Sequence, residues 1–214
     1  VRFERCGKLV VATRETALPR MEALRERALA NGLAVRSLGP EALREREPHA
    51  VGIRALWIPE TGIVDYREVA RTMKGLLIAQ GVDVRTGQAL LGVQHRPGAL
   101  VLETTRGDIE TDFALNCGGL HADRLARRFG LEPGIRIIPF RGEYFHLTPE
   151  ASAKVRTLIY PVPDPDLPFL GVHLTRGIHG TVEAGPNAVL AFAREGYRRR
   201  DLSFRDLAEY AAFP

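Results

Sequence analysis

The sequence FALNCGGLHADRLARRF, residues 113–129, joins an apolar strand to a helix through a pair of glycines. Its apolar start predicts the end of a strand that runs from Ile109 to Asn116, and the residues from His121 to Phe129 predict a helix. Gly118 and Gly119 allow a tight turn that leaves backbone amides exposed. A strand that turns through glycines into a helix is typical of an α/β protein.

The residues upstream of this turn predict a helix followed by a small meander. Asp65 and Glu68 form a capping-box pattern at the start of a helix that Gly81 ends. Beyond Gly81 the apolar residues alternate, which favours strands, and Pro97-Gly98 supplies a hairpin turn. The predicted strands are Val82 to Arg85, Leu90 to His95, Leu100 to Thr104 and Ile109 to Asn116.

The rest of the chain predicts a second, mostly antiparallel sheet. Two helices belong to this part, from Glu15 to Asn31 and from Pro40 to Arg46. Polar and proline-rich loops join short apolar runs of strand length. These runs are Ile137 to Leu147, Thr157 to Val162, Phe169 to Leu174 and Thr181 to Ala184. Gly7 to Thr13 and Ile53 to Ile58 are predicted as further strands.

Four strings occur in an order that resembles a known family. They are GKLVVAT (7–13), PETGIVDYREV (59–69), PFRGEYFHL (139–147) and YPVPDPDLPFLGVHLTRGIHGTVEAGPNAVLAFAREGY (160–197). Together they resemble the L-2-hydroxyglutarate oxidase and dehydrogenase branch of the D-amino-acid-oxidase-like, FAD-dependent oxidoreductases. The long last string makes a chance match a poor explanation.

The resemblance implies an α/β (α+β mixed) fold with FAD as cofactor. Part of a Rossmann-like FAD-binding domain would interleave with a mostly antiparallel substrate domain. We expect residues 1–58 to belong mainly to the substrate domain, 59–130 to the partial FAD-binding domain, and 131–214 to the substrate domain again. The family's glycine-rich G-x-G-x-x-G segment and its C-terminal flavin-binding segment have no counterpart here, so we expect an interior fragment.

The resemblance places the cofactor's adenine side on the meander and the glycine turn. The implied contacts are Leu90, Asn116, Cys117, Gly118 and Gly119. Glycine suits a backbone that passes close to a cofactor, and a turn before a helix presents free amides. A plain strand-to-helix turn explains the same residues without a cofactor.

Oxidation of a 2-hydroxy acid needs a base for the hydroxyl proton, and histidine is the natural candidate. His173 lies in an apolar run, where an imidazole is costly without a partner. Arginine matches a carboxylate with two parallel hydrogen bonds, so Arg176 and Arg141 are candidate substrate ligands. Hydroxyl groups could join the same pocket from Tyr144, Tyr160 and Thr175. A core histidine and surface arginines are the simpler readings of these residues.

Composition excludes several other classes of protein. The 214 residues are 45% hydrophobic and carry a formal charge of +4, which indicates a folded protein that suits a small anionic substrate. Cys6 and Cys117 lack metal-ligand spacing, so no metal site is expected. No nucleic-acid module and no transmembrane segment is recognised. We expect a cytoplasmic protein, or one peripheral on the inner face of a membrane.

The expected reaction is FAD-dependent oxidation of L-2-hydroxyglutarate to 2-oxoglutarate, with oxygen or a membrane quinone as electron acceptor. Two alternatives stay open. The flavin enzyme could act instead on an amino acid, an N-methyl amino acid or glycerol 3-phosphate, as relatives in the wider superfamily do. The chain could also be a non-catalytic, truncated remnant of the family.

Overall fold

The computed structural model describes residues 1–166 and 169–213, so Leu167, Pro168 and Pro214 lie outside the description. The strands are β1 Phe3–Glu4, β2 Lys8–Ala12, β3 Arg36–Leu38, β4 Arg54–Ile58, β5 Ile63–Val64, β6 Leu90–Arg96, β7 Ala99–Thr104, β8 Ile109–Thr111, β9 Phe140–His146, β10 Leu158–Pro161, β11 His173–Arg176 and β12 Val182–Leu190. The helices are α1 Leu18–Ala30, α2 Pro40–Arg46, α3 Tyr66–Ala79, α4 Ala122–Arg128, α5 Pro149–Ser152 and α6 Phe204–Ala211. The mixture of helices and sheets confirms the predicted fold class.

The chain divides into two compact units. The first comprises Val1–Ala79 and Gly142–Ala188, and the second comprises Gln80–Arg141 and Val189–Pro214. Helix α3 groups with the first unit rather than with the meander that follows it, and the two units interleave along the sequence.

A seven-stranded sheet forms the centre of the first unit, in the order β3-β4-β2-β10-β11-β12-β9. Strands β2 and β10 run parallel, whereas β2 with β4, β3 with β4, β10 with β11 and β11 with β12 are antiparallel. The sheet is therefore mostly antiparallel, as the apolar runs predict. The Phe169 to Leu174 run contributes only its end, since β11 begins at His173.

Strand β2 is buried on both faces, which explains its unbroken apolar sequence. One face, called here the α1 face, packs on the helix that carries Met21, and the other, the α2 face, packs on the helix that carries Leu43. The α1 face includes Val10, Ala12, Leu56, Tyr160 and Val162. The α2 face includes Leu9, Val11, Ala55, Trp57 and Ile159.

Glu47 ties the end of α2 to the start of β10. Its side chain is fully buried, and Oε1 accepts hydrogen bonds from the backbone amides of Arg156 and Thr157. A buried carboxylate needs such donors, because a polar group that loses its hydrogen bonds to water and gains none from the protein costs at least about 2 kcal/mol. Sequence reasoning did not single out this residue.

The second unit contains the meander β6-β7-β8 and a buried ionic network. Asp123 of α4 accepts from the Arg194 guanidinium, 2.9 Å between Oδ1 and Nη1, and both side chains are almost fully buried. Arg124 binds Asp206 and Glu209 of α6. The network links α4 to α6.

One predicted strand does not form, and another is shorter than predicted. Val82 to Arg85 lies outside any strand, and the strand predicted from Ile109 to Asn116 stops at Thr111. Phe113 and Leu115 are 76% and 77% exposed. The prediction is wrong because an apolar run becomes a strand only when a neighbour pairs with its backbone. In the described ranges no element supplies that pairing.

Candidate functional site

His173 lies in an aromatic stack on the α1 face of the sheet. The β10 and β11 register pairs Ile159 with Leu174, which sets Tyr160 opposite His173 on the other face. Their ring centroids are 4.1 Å apart and the planes are 12° from parallel. The Tyr144 ring meets the imidazole edge-on from 6.4 Å. The structure therefore brings together three of the predicted site residues.

The hydrogen bond of the imidazole fixes which nitrogen can act as a base. Nδ1 of His173 lies 2.9 Å from the carbonyl oxygen of Gly171. A carbonyl oxygen only accepts, so Nδ1 carries the proton and Nε2 of the neutral ring keeps its lone pair. His173 is 7% exposed, and the two tyrosine rings restrict its rotation. The arrangement holds a proton acceptor in one orientation.

Gly185 makes room for the Tyr144 ring. It is the residue directly opposite His173 on β12. A Cβ added to Gly185 would lie 2.6 Å from Tyr144 Cδ1 and 2.8 Å from the Glu143 carbonyl oxygen. The ring therefore occupies the space that any larger residue would need, and the edge-on contact with His173 depends on this glycine.

Tyr144 is a neutral hydrogen-bond donor at physiological pH. Partial burial raises the pKa of its phenol above the ordinary value, and the neighbouring Tyr160 and Glu183 raise this pKa further. The residue is 42% exposed. It can donate to a carboxylate or hydroxyl group next to the imidazole.

Arg176 lies on the opposite face from His173. Side chains alternate along a strand, so residues three apart point to different sides, whereas Thr175 shares the face of His173. Nη1 of Arg176 is 2.7 Å from Glu4 Oε1 and 3.1 Å from the Arg156 carbonyl oxygen. The short spacing in sequence suggested one pocket, but strand geometry separates the cation from the imidazole.

Arg141 belongs to the second unit, where Nη1 is 3.5 Å from the carbonyl oxygen of Gly196. The first unit also has a cavity of about 270 Å³. Its walls include Val11, Ile159 and Leu174, which belong to the α2 face, and also Tyr160 and His173. The stacked rings of the candidate site therefore border this cavity.

A pocket in the second unit gathers three of the predicted cofactor contacts. Leu90, Asn116 and Cys117 line a cavity of about 260 Å³. Its other walls are mostly apolar, with polar groups from Arg85, Gln88 and Thr104. Such a pocket suits a flat, partly polar heterocycle.

The glycine turn beside this pocket is built for close packing. A Cβ on Gly118 would lie 2.2 Å from Leu125 Cδ1, and Gly119 has a φ of +51°. Asn116 stabilises the turn, since Oδ1 accepts from the Gly118 amide at 3.0 Å and Nδ2 donates to the Ala122 carbonyl at 2.9 Å. The packing of Leu125 of α4 thus accounts for Gly118, and the backbone conformation accounts for Gly119.

Among residues 1–166 and 169–213, no cluster of three or more histidine, cysteine or acidic side chains could hold a metal ion. Within the same residues, no helix has the length and apolar content needed to cross a membrane.

Comparison with known proteins identifies the family. A family model described as FAD dependent oxidoreductase matches residues 1–212. The chain belongs to the FAD-dependent oxidoreductases. It is 50% identical over 210 residues to an L-2-hydroxyglutarate dehydrogenase of Escherichia coli O17:K52:H18, which covers 98% of this chain and 50% of that protein. An L-2-hydroxyglutarate dehydrogenase of Salmonella houtenae is 49% identical over the same shares. The chain thus spans about half the length of the curated relatives it matches.

Solved structures support the fold of this oxidoreductase. The L-proline dehydrogenase from P. horikoshii superposes with a TM-score of 0.77 at 17% identity, over 99% of this chain and 55% of that one. At this identity the likeness shows the fold alone. It confirms the α/β assignment of the sequence.

Proposed function

We propose that this chain is part of an FAD-dependent enzyme that oxidises L-2-hydroxyglutarate to 2-oxoglutarate. Identity near 50% to L-2-hydroxyglutarate dehydrogenases over almost the whole chain supports the substrate. The observation that carries the chemistry is the fixed imidazole of His173, whose Nδ1 donates to Gly171. Nε2 is left to accept the proton of the substrate's C2 hydroxyl group.

The residues around the second-unit pocket fit the adenosine portion of FAD. Leu90 and Leu102 offer apolar walls to the base, while Arg85 and Gln88 offer donors to ribose or phosphate oxygens. A bound FAD would supply a hydride acceptor for the oxidation at C2 of the substrate. Asn116 and Cys117 complete this wall, while Gly118 and Gly119 shape the adjacent turn.

The first-unit residues would orient the substrate and hold its proton. Tyr144 and Tyr160 enclose the imidazole, so the substrate hydroxyl must approach along the free side of the ring. Thr175, on the same face, is a candidate hydroxyl donor. Arg141 and Arg176 remain predicted carboxylate ligands, and Arg176 would have to leave Glu4 to serve.

The electron acceptor is oxygen or a membrane quinone in this proposal. A cytoplasmic protein that associates with the inner face of a membrane is compatible with both. Following turnover of L-2-hydroxyglutarate with oxygen alone, and then with a soluble quinone under nitrogen, distinguishes the two acceptors.

A dye-reduction assay tests the substrate. The purified protein is supplied with FAD and with L-2-hydroxyglutarate, its D-enantiomer, glycine, sarcosine, L-proline and glycerol 3-phosphate in turn. We expect dye reduction with L-2-hydroxyglutarate alone. Turnover of an amine without turnover of L-2-hydroxyglutarate would refute the proposal. A protein that stays colourless after incubation with FAD would favour the non-catalytic alternative.

A further inference from the structure

The cavity of about 270 Å³ in the first unit lies where the parallel strands β2 and β10 end. Thr13 directly follows β2, and Tyr160 and Pro161 end β10, and all three line the cavity. Ligands of α/β sheets commonly bind beyond the carboxyl ends of parallel strands. The volume is just below the roughly 300–1,000 Å³ of sites for drug-sized ligands, so the cavity suits a small molecule.

Polar side chains reach the cavity from both sides of β10. The neighbouring strands of the sheet follow the order β4-β2-β10-β11. His49 belongs to the segment that leads into β4, Thr13 follows β2, and His173 begins β11. His49 and Thr13 therefore lie on the β2 side of β10, and His173 lies on the β11 side. Because all three residues line one space, a single molecule within it can contact them together.

The backbone of His49 is fixed by the residues around it. The carbonyl oxygen of the buried Glu47 accepts a hydrogen bond from the Ala50 amide at 2.9 Å, which closes a turn around His49. Beyond the turn, a Cβ added to Gly52 would lie 2.4 Å from Val11 Cγ1, so the segment packs directly on β2. An exposed imidazole is thus attached to a backbone that the core holds in place.

The side chains of His49 and Thr13 have no hydrogen-bond or ionic partner within residues 1–166 and 169–213. A neutral imidazole carries one N–H donor, and the threonine hydroxyl group carries one O–H donor. In the same part of the chain, no aspartate or glutamate lines the cavity. Two available donors without a neighbouring carboxylate suit an anionic group of a ligand.

We propose that His49 and Thr13 bind the terminal, C5 carboxylate group of L-2-hydroxyglutarate while the C2 hydroxyl group lies at His173. This inference rests on the proposed oxidation of that substrate and names the residues that select a dicarboxylate. Apolar walls from Val11 and Leu174 accommodate the methylene groups between the two ends. Sequence reasoning missed His49 and Thr13 because the order of the strands, rather than a local pattern, brings them to His173.

Steady-state kinetics of the FAD-loaded protein with two substrates test the assignment. L-2-hydroxyglutarate is compared with L-2-hydroxypentanoate, which has the same carbon chain but lacks the terminal carboxylate. His49→Leu should raise KM for L-2-hydroxyglutarate about 10- to 100-fold, the loss expected for one hydrogen bond to a charged group. We expect kcat for L-2-hydroxyglutarate and KM for L-2-hydroxypentanoate to change by less than about 3-fold. His49→Gln keeps an N–H donor and should restore most of the affinity.

Calorimetry provides a second readout that needs no turnover. Binding of 2-oxoglutarate to His49→Leu should weaken about 10- to 100-fold, whereas binding of 2-oxopentanoate should not change. Thr13→Val, which removes only the hydroxyl group, should weaken binding of 2-oxoglutarate about 3- to 10-fold. It replaces His49→Leu if that variant has a lower urea midpoint than the unaltered protein.

His146→Leu is the matched control, because it removes an exposed imidazole from another part of the first unit. Its KM values for both substrates should equal those of the unaltered protein. An unchanged KM for L-2-hydroxyglutarate in His49→Leu, or an equal rise for the two substrates, would overturn the assignment. Failure of the unaltered protein to oxidise L-2-hydroxyglutarate would instead refute the proposed function.

Discussion

At the scale of single residues, a backbone carbonyl oxygen and two tyrosine rings orient His173, the residue that we propose as proton acceptor. Its Nδ1 is bound by the Gly171 carbonyl oxygen two residues earlier in the chain. Tyr160 covers one face of the ring and Tyr144 meets it edge-on. These contacts compensate for burying a polar ring among apolar residues.

His173→Gln should lower kcat for L-2-hydroxyglutarate about 10²- to 10⁴-fold, the usual contribution of a general base, while flavin stays bound. A glutamine amide can replace the hydrogen bond but accepts no proton. The measurement is dye reduction at saturating substrate, with flavin content determined by absorbance. His146→Gln, which alters an exposed histidine near Glu183, is the control. Equal kcat in both variants would remove His173 from the chemistry.

Gly185→Ala should destabilise the first unit by about 1–3 kcal/mol, the typical cost of overpacking. The added methyl group would meet the Tyr144 ring and the Glu143 carbonyl oxygen within 3 Å. Urea unfolding measures the effect, and kcat should fall with it because Tyr144 must move away from His173. Gly75→Ala is the control, since nothing approaches within 4 Å there and α3 should gain about 0.5–1 kcal/mol. Equal stability of Gly185→Ala and the unaltered protein would contradict this packing.

At the scale of elements, α4 and α6 are joined by carboxylates with lowered pKa values. Burial alone would raise the pKa of Asp123, but the Ile137 amide and the Arg194 guanidinium outweigh it and hold that pKa below its usual range. Burial likewise tends to raise the pKa values of Asp206 and Glu209, but their hydrogen bonds to Arg124 lower both pKa values by more. Sequence periodicity could not reveal this network, because its members are distant along the chain.

The network predicts a pH-dependent stability of the second unit. Carboxyl groups whose pKa is lower in the folded than in the unfolded chain stabilise the fold above about pH 4. That stabilisation is lost as the pH falls through the lowered, folded-state values. Asp123→Asn should cost about 3–5 kcal/mol at pH 7, because it removes the nearest charge partner of the buried Arg194 and leaves only Glu209, 3.7 Å away. The cost should shrink near pH 3.

Urea unfolding at pH 7 and pH 3 measures both values. Asp83→Asn is the control, because it alters an exposed ion pair with Arg85 and should change stability by less than about 1 kcal/mol. An equal cost of Asp123→Asn at the two pH values would contradict the network's role.

The ends of helix α3 could be predicted from the sequence, whereas one of the neighbouring strands could not. Helix α3 begins after Asp65, whose Oδ1 accepts from the Arg67 amide at 2.8 Å, and it ends before Gly81, as the capping pattern predicts. The Glu68 half of the capping box differs, since its Oε2 accepts from the Arg2 amide. The ends of a helix can be predicted from nearby residues because the hydrogen bonds that cap it are local. A strand at Val82 to Arg85 would have needed a partner strand that is distant in sequence.

At the scale of the whole molecule, the sequence was sufficient to predict the family but not the geometry of the candidate site. The ordered strings around Val10, Asp65, Arg141 and His173 sufficed for the family, which the comparisons confirm. They could not show that Arg176 faces Glu4 or that Lys8 lies over Tyr160. Such contacts depend on strand register, and the pairing of β2 with β10 brings together residues 150 positions apart.

Anaerobic flavin reduction tests the central claim most directly. The FAD-loaded protein and its His173→Gln variant are mixed with L-2-hydroxyglutarate under nitrogen, and the flavin absorbance is followed in time. We predict rapid bleaching of the unaltered protein, bleaching slowed at least about 100-fold in the variant, and none with the D-enantiomer. Flavin that stays oxidised with L-2-hydroxyglutarate, or that bleaches equally fast in both proteins, would contradict the account.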